Sequence, residues 1–271
     1  MNAVYSPAMT WLASLPAGVL VAGWLAIALA VAMASRVAVR SIVPQEERDH
    51  VHSIGASLMP ALGATFAVLM ALTLASEATY LRSAQDIVST EAAQASRLAW
   101  AATSNGVETV AIQSALTEYL RATRAHEWRG AGPTERENPA TARALARLER
   151  IVRTEAARAE LGTPTSTELL ASVDELTVGR RERLAASSRE LPALYVITLV
   201  ASGVALIVNA GALAFRSSMR TSLLVVGLSA VIGLSLALLF ALSSPWDGPL
   251  IVSGQPVDTV LRDLRVGFFS A

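Results

Sequence analysis

Four long apolar runs, at about 16–34, 54–76, 192–215 and 221–244, dominate the pattern of the chain. Each reaches the roughly 20 residues that an α-helix needs to cross the hydrocarbon core of a bilayer. Between the second and third runs the pattern becomes helical alternation of apolar and polar positions. Leu145, Leu148, Val152 and Ala159 share one face, and Glu149 stands four residues before Arg153. Leu169, Val173, Leu176 and Leu184 repeat the spacing, after Thr165 and Glu168 at capping-box distance. Asn105-Gly106, Gly130-Ala131-Gly132-Pro133 and Gly162-Thr163-Pro164 break the insert into four amphipathic helices. Its outer pair is expected to continue from the second span and into the third, with Pro192 at the membrane entry.

The pattern therefore predicts an all-α polytopic membrane protein with four transmembrane helices and a helical insert between the second and third spans. The divisions fall at 1–53 (first span and short loop), 54–76 (second span), 77–190 (soluble four-helix insert), 191–244 (third and fourth spans) and 245–271 (interfacial turn and tail). Ala32-Met33-Ala34 has the form of a signal cleavage site. Residues 1–16 hold no Arg or Lys, however, so the first run reads as a retained span.

Small residues recur every four positions: Ala22, Ala26, Ala30 and Ala34; Gly63, Ala67, Ala71 and Ala75; and Ser229, Gly233, Ala237 and Ala241. Helices associate in lipid through close backbone approach, so such rows mark a tight bundle or an oligomer. Composition agrees, since 53% of the residues are hydrophobic, 16% are charged and the mean hydropathy is +0.46. The charge is segregated into the insert, and the signs cancel to zero, so nothing points to nucleic acid. With no Cys, the chain has no disulfide, thiolate catalyst, iron–sulfur cluster or zinc finger; with no Lys, it has no P-loop lysine or Schiff base.

Tyr5, Trp11, Tyr80, Tyr195 and Trp246 flank the spans on the side of both termini and the insert, as an interfacial belt would. Arg36, Arg40, Arg48, Arg216 and Arg220 lie on the other side. Arg82, Arg180, Arg181, Arg183 and Arg189 balance them at the insert's membrane ends, so the positive-inside rule is tied.

Candidate chemistry is sparse. On the second span Ser57, Thr65, Thr73 and Ser76 share a face with Ala61 and Leu69. This weakly polar stripe could line a pore, with Val68 and Leu69 at a constriction; alternatively its hydroxyls bond back to carbonyls one turn earlier. Asn209 is the polar residue of the third span and needs an interhelical partner or water. Asp49-His50-Val51-His52 falls short of the three or four convergent ligands of a metal site. His126-Glu127-Trp128-Arg129 closes a helix, where Arg124 or Arg129 could stack on the indole. No catalytic constellation, metal cluster or cofactor loop is evident, and the chain does not read as an enzyme.

Gly63 to Leu74 running into Tyr80, Glu91-Ala92, Tyr119 with Glu127-Trp128, Arg180-Arg181-Glu182-Arg183-Leu184 before Leu191-Pro192, and Pro245-Trp246-Asp247-Gly248-Pro249-Leu250 leading to Val257 and Leu261 occur in that order. In this they resemble the bestrophin-like domain-of-unknown-function family of bacterial and plant membrane proteins, over about residues 40–265. Two departures stand out: the family's Pro-Phe-x-Gly turn is Pro-Trp-Asp-Gly here, and the basic positions are all Arg. The resemblance makes Glu91, Glu127, Trp128, Arg180, Arg183, Pro192, Pro245, Asp247 and Gly248 motif positions. It further implies a homo-oligomer, a pentamer if bestrophin-like, in a bacterial plasma membrane, passing chloride or another small anion along Ser57, Thr65, Leu69, Thr73 and Ser76. It would put the insert in the cytoplasm. Leu250-Ile251-Val252 replaces the acidic run of calcium-gated bestrophins, so calcium gating is not expected. The other reading is a membrane-anchored sensor or scaffold whose insert binds a ligand or a partner protein.

Overall fold

The computed structural model describes residues 16–44, 46, 48–128, 137–189, 192–214, 219–243, 245–246 and 249–270, and all their regular structure is helical. In chain order the helices are α1 (Ala17–Ile42), α2 (Arg48–Ala101), α3 (Thr109–His126), α4 (Pro139–Ala156), α5 (Thr163–Ser187), α6 (Ala193–Leu213), α7 (Met219–Leu242) and α8 (Gln255–Arg265). Four of them, α1, α2, α6 and α7, are long and apolar enough to cross a membrane. The chain divides into two compact units: Met1–Tyr80 with Glu190–Leu250, and Leu81–Arg189 with Ile251–Ala271.

The first unit holds the spans. Phe66 and Met70 of α2, Leu199, Leu206 and Ile207 of α6, and Ile232, Leu236 and Leu239 of α7 form its core with Ala28 and Ala32 of α1. Backbones meet where side chains are small. A Cβ on Gly211 would stand 2.7 Å from the Ala32 carbonyl oxygen, and one on Gly233 3.0 Å from that of Trp24. The Ser35 hydroxyl donates across to the Val208 carbonyl at 2.6 Å, and Trp24 stacks on Phe240 at 4.9 Å.

The three small-residue rows fare differently. Ser229, Gly233, Ala237 and Ala241 of α7 are buried, as close packing requires. Ala22, Ala26, Ala30 and Ala34 of α1 are exposed instead, because α1 packs through Ala28, Ala32 and Ser35. Ala67, Ala71 and Ala75 of α2 are exposed as well, the inward face being taken by larger Phe66 and Met70.

The second unit packs the later half of α2 with α3, α4, α5 and α8. Ala84, Val88, Ala95 and Leu98 of α2, Ile112, Leu116 and Leu120 of α3, Leu148 and Val152 of α4, and Leu169, Val173 and Leu176 of α5 are its buried core residues. Asn105-Gly106 makes the α2–α3 turn, Gly106 adopting φ +85°, which a side chain would resist. Asn138 caps α4 by accepting from the Ala140 amide at 2.8 Å, and Pro139 follows at the first helical position.

Several expectations change. α5 begins at Thr163, after Gly162, with Pro164 in the first turn, so Thr165 and Glu168 lie inside the helix. α4 ends at Ala156, which takes the buried position expected of Ala159. Glu149 accepts from Thr177 of α5, and Arg153 pairs with Asp174, so the pair anticipated within α4 is replaced by bonds between helices. α2 does run unbroken from span into insert, through exposed Pro60. α5, by contrast, stops at Ser187, and α6 starts afresh with Pro192 as N-cap, because proline supplies no amide to continue a helix. Nor is the tail merely a turn: its α8 buries Val257 and Val260 in the second unit.

Candidate functional site

Two places gather the residues singled out by sequence. The first is the span half of α2. Its inward face carries Gly55, Phe66 and Met70 with Met59, Leu62 and Leu69 partly buried, and its outward face carries Ser57, Ala61, Thr65, Val68, Leu72 and Ser76. Leu69 packs against the core cluster and Thr73 is half-buried, so these two do not share the open face with Ser57, Thr65 and Ser76. The physical reason is angular: Phe66, Leu69, Met70 and Thr73 fall on one side of a 3.6-residue helix, and the aromatic ring and thioether anchor that side.

The hydroxyls bond locally. Ser57 donates to the Ser53 carbonyl at 3.0 Å, Thr65 to Ala61 at 2.9 Å and Thr73 to Leu69 at 2.7 Å. Each such hydroxyl has committed its one donor and presents only lone pairs outward. Asn209 of α6 ties itself to this helix, its amide donating to the Gly55 carbonyl at 2.9 Å.

The second place is buried in the insert. Near the middle of the α2 segment in this unit, Glu91 is 1% exposed; Arg183 of α5 is 1% exposed as well. The Arg183 Nε donates to Glu91 Oε2 at 2.5 Å and its Nη2 to Glu127 Oε2 at 2.9 Å. Arg180, one turn earlier, donates from Nη2 to Glu127 Oε1 at 2.6 Å. The Tyr119 hydroxyl donates to Glu91 Oε1 at 2.7 Å, and the Asn138 amide to Glu127 Oε1 at 3.1 Å. Two carboxylates and two guanidiniums thus neutralise one another on α2, the end of α3 and α5. Arg183 also lies 5.7 Å from the centre of the Trp128 ring, and Arg124 lies 5.1 Å from it. Of the two arginines offered for stacking, the structure assigns Arg124; Arg129 lies outside the described residues.

Burial and, after it, the neighbouring Glu91 carboxylate raise the Tyr119 hydroxyl well above its ordinary pKa, so it stays a donor. Burial opposes the charge on Arg183, but Glu91, Tyr119 and Glu127 outweigh it and hold the guanidinium above its ordinary value. Such charges persist away from water only because each is met by a partner.

Hydropathy could not have revealed the tail's attachment to this unit. Arg124 makes two bonds to Asp258 of α8, at 2.7 and 2.9 Å, and the Gln85 amide pairs with both backbone groups of Ser253. Gly254 sits so close that a Cβ would meet the Arg124 Nη1 at 2.5 Å and the Trp128 ring at 3.0 Å. The remaining motif positions stand apart: Pro192 caps α6 and Pro245 is buried, whereas Asp247 and Gly248 lie outside the described residues. The same holds for the side chains of Asp49 and His50, and the described residues hold no group of three metal-ligating side chains.

Solved structures share the fold. A bacterial bestrophin homologue from Klebsiella pneumoniae superposes with a TM-score of 0.70 at 14% identity, over 92% of this chain and 98% of that one. A substituted form of a membrane protein gives 0.71 at 14% identity, over 90% and 97%. No curated protein sequence matches. The model of the bestrophin-like domain matches residues 26–257, and with it the order of motifs and the fold find one explanation: this chain is a membrane protein of the bestrophin-like family.

Proposed function

We propose that this protein is an oligomeric anion channel of a bacterial plasma membrane, in which the outward face of α2 lines the pore. The observation that carries the reading is a contrast between exposed faces. α7 turns Leu223, Leu224, Val226, Val231, Leu234 and Leu238 outward, the large aliphatic side chains suited to lipid. α2 turns outward Ser57, Ala61, Ala64, Thr65, Ala71, Ala75 and Ser76, with Ile54 and Leu58 near its start and Val68 and Leu72 further along as the bulky members. Small residues allow close approach of further helices, and hydroxyls tolerate water. The exposed alanine row of α1 offers a second close-approach surface to neighbouring copies. Membership of the bestrophin-like family supports this class of activity.

Between His52 and Glu77 the segment carries no charged residue, so passage would be governed by size and dewetting at Val68 and Leu72 rather than by a charged ring. Because the threonine and serine donors already bind backbone carbonyls, a permeating anion gains little from them unless they rotate. Leu69 becomes a packing residue in this reading, so of the two residues expected at the constriction Val68 remains. The insert's buried carboxylates are each neutralised by arginine, an arrangement that suits a rigid clamp better than proton transfer.

Chloride efflux from liposomes containing the purified protein tests the proposal. Wild-type protein should release chloride, Val68→Trp should block release without loss of the oligomer, and Val226→Trp on the lipid face should leave it unchanged. Efflux through Val68→Trp and Leu72→Trp at the wild-type rate would refute α2 as the pore helix.

A further inference from the structure

Between α4 and α5 the insert holds an open groove of about 480 Å3 that neither the core nor the buried ion cluster fills. The helices run antiparallel, as Arg153 pairs with Asp174 while Glu149 bonds to Thr177 further along. The groove opens because α4 offers only the methyl groups of Ala142 and Ala146, one turn apart, and because Glu127 draws Arg180 inward. Leu145 and Leu184 supply apolar wall.

Its two ends differ in charge. At one end the half-buried Glu149 carboxylate accepts a hydrogen bond from the Thr177 hydroxyl at 2.7 Å and has no cation partner among the described residues. At the other end Arg181 is exposed and unpaired among the described residues. Beside it Arg180, whose side chain is 6% exposed, directs Nη1 toward Glu137 at 3.7 Å, beyond hydrogen-bond reach. Glu137 is itself 69% exposed, so an incoming anion could replace it. Thr177 to Arg181 spans one helical turn, which separates the two ends by roughly 5 Å.

We propose that this groove binds a small zwitterion, an ammonium carboxylate with its charges several bonds apart. The carboxylate sits against Arg180 Nη1 and Arg181, where a guanidinium offers paired donors. The ammonium sits against Glu149, and the methylene body lies along Ala146, Leu145 and Leu184. A ligand with only a negative charge leaves Glu149 unpaired, and one with only a positive charge meets two arginines. Occupancy would bear on the buried cluster through Arg180, which shares Glu127 with Arg183. Binding is measurable whether or not the protein conducts, so this proposal and the channel reading fail separately.

The test is isothermal titration of the full chain in detergent with 5-aminopentanoate, and with pentanoate and pentylamine as singly charged controls. 5-Aminopentanoate should bind saturably at one site per chain, about tenfold or more tighter than either control, a factor that one added charge-assisted contact can supply. Arg181→Gln should weaken it about tenfold, and Ala146→Trp, at an exposed position filling the groove, should abolish it. Glu149→Gln should erase the preference over pentanoate while keeping the Thr177 contact. No saturable heat with the wild type, equal binding of pentanoate, or undiminished binding by Ala146→Trp would each overturn the proposal. Arg181 is exposed, so its variant remains informative even if the tryptophan variant folds poorly.

Discussion

Replacing Arg183 by methionine tests the physics of the insert most directly. Arg183 bridges two carboxylates, at 2.5 and 2.9 Å, from a position that is 1% exposed. Without it Glu127 keeps Arg180 and the Asn138 amide, but Glu91 retains a single bond, from the Tyr119 hydroxyl. Removing one partner of a buried pair strands a charge and costs about 3–5 kcal/mol. At roughly 2–4 °C per kcal/mol for a chain of this size, Arg183→Met should lower the melting temperature by about 6–20 °C. Arg147→Met is the control, since its pair with Glu118 has side chains 62% and 51% exposed and such pairs contribute at most about 1 kcal/mol. Adding Glu91→Gln to Arg183→Met removes the stranded charge and should recover stability, a coupling of about 1–3 kcal/mol. Thermal unfolding in detergent, followed by tryptophan fluorescence with Trp128 beside the site, gives all four corners of the cycle. If Arg183→Met loses no more than Arg147→Met, or if the two changes simply add, the cluster is not the clamp described here.

Other outcomes follow from the same geometry. Leu69→Trp should destabilise the span bundle, because Leu69 packs on its core, whereas Val68→Trp should block chloride efflux with little change in melting temperature. Gly254→Val would push the Arg124 guanidinium off Asp258, so trypsin should release the segment beyond Arg262 faster than in wild type, with the Asp258→Asn variant behaving alike. The raised pKa of Tyr119 means that the native state keeps a proton the unfolded chain releases near pH ~10. Its contribution is therefore complete below that pH and falls as pH rises toward the native value. Tyr119→Phe should flatten the loss of melting temperature above about pH 10.

Sequence alone determined the class and the order of parts. Apolar runs long enough to cross a bilayer, separated by a segment holding most of the charge, leave few alternatives, because length and composition are read one residue at a time. It also determined the breaks at Asn105-Gly106 and Gly162-Thr163-Pro164, which are local backbone effects. Which face of each helix turns inward was decided only by tertiary structure. Three rows of small residues looked equivalent in sequence, yet only that of α7 is buried, since a row is buried only where another helix is placed against it. Leu69 and Val68 are neighbours in sequence and part company for the same reason: Phe66 and Met70 anchor one side of α2. The buried cluster shows this most clearly. Glu91, Glu127, Arg180 and Arg183 appeared as scattered motif positions on amphipathic helices, where charge ordinarily faces water. Tertiary packing drew residues 92 positions apart within bonding distance, and pairing is what makes their burial possible.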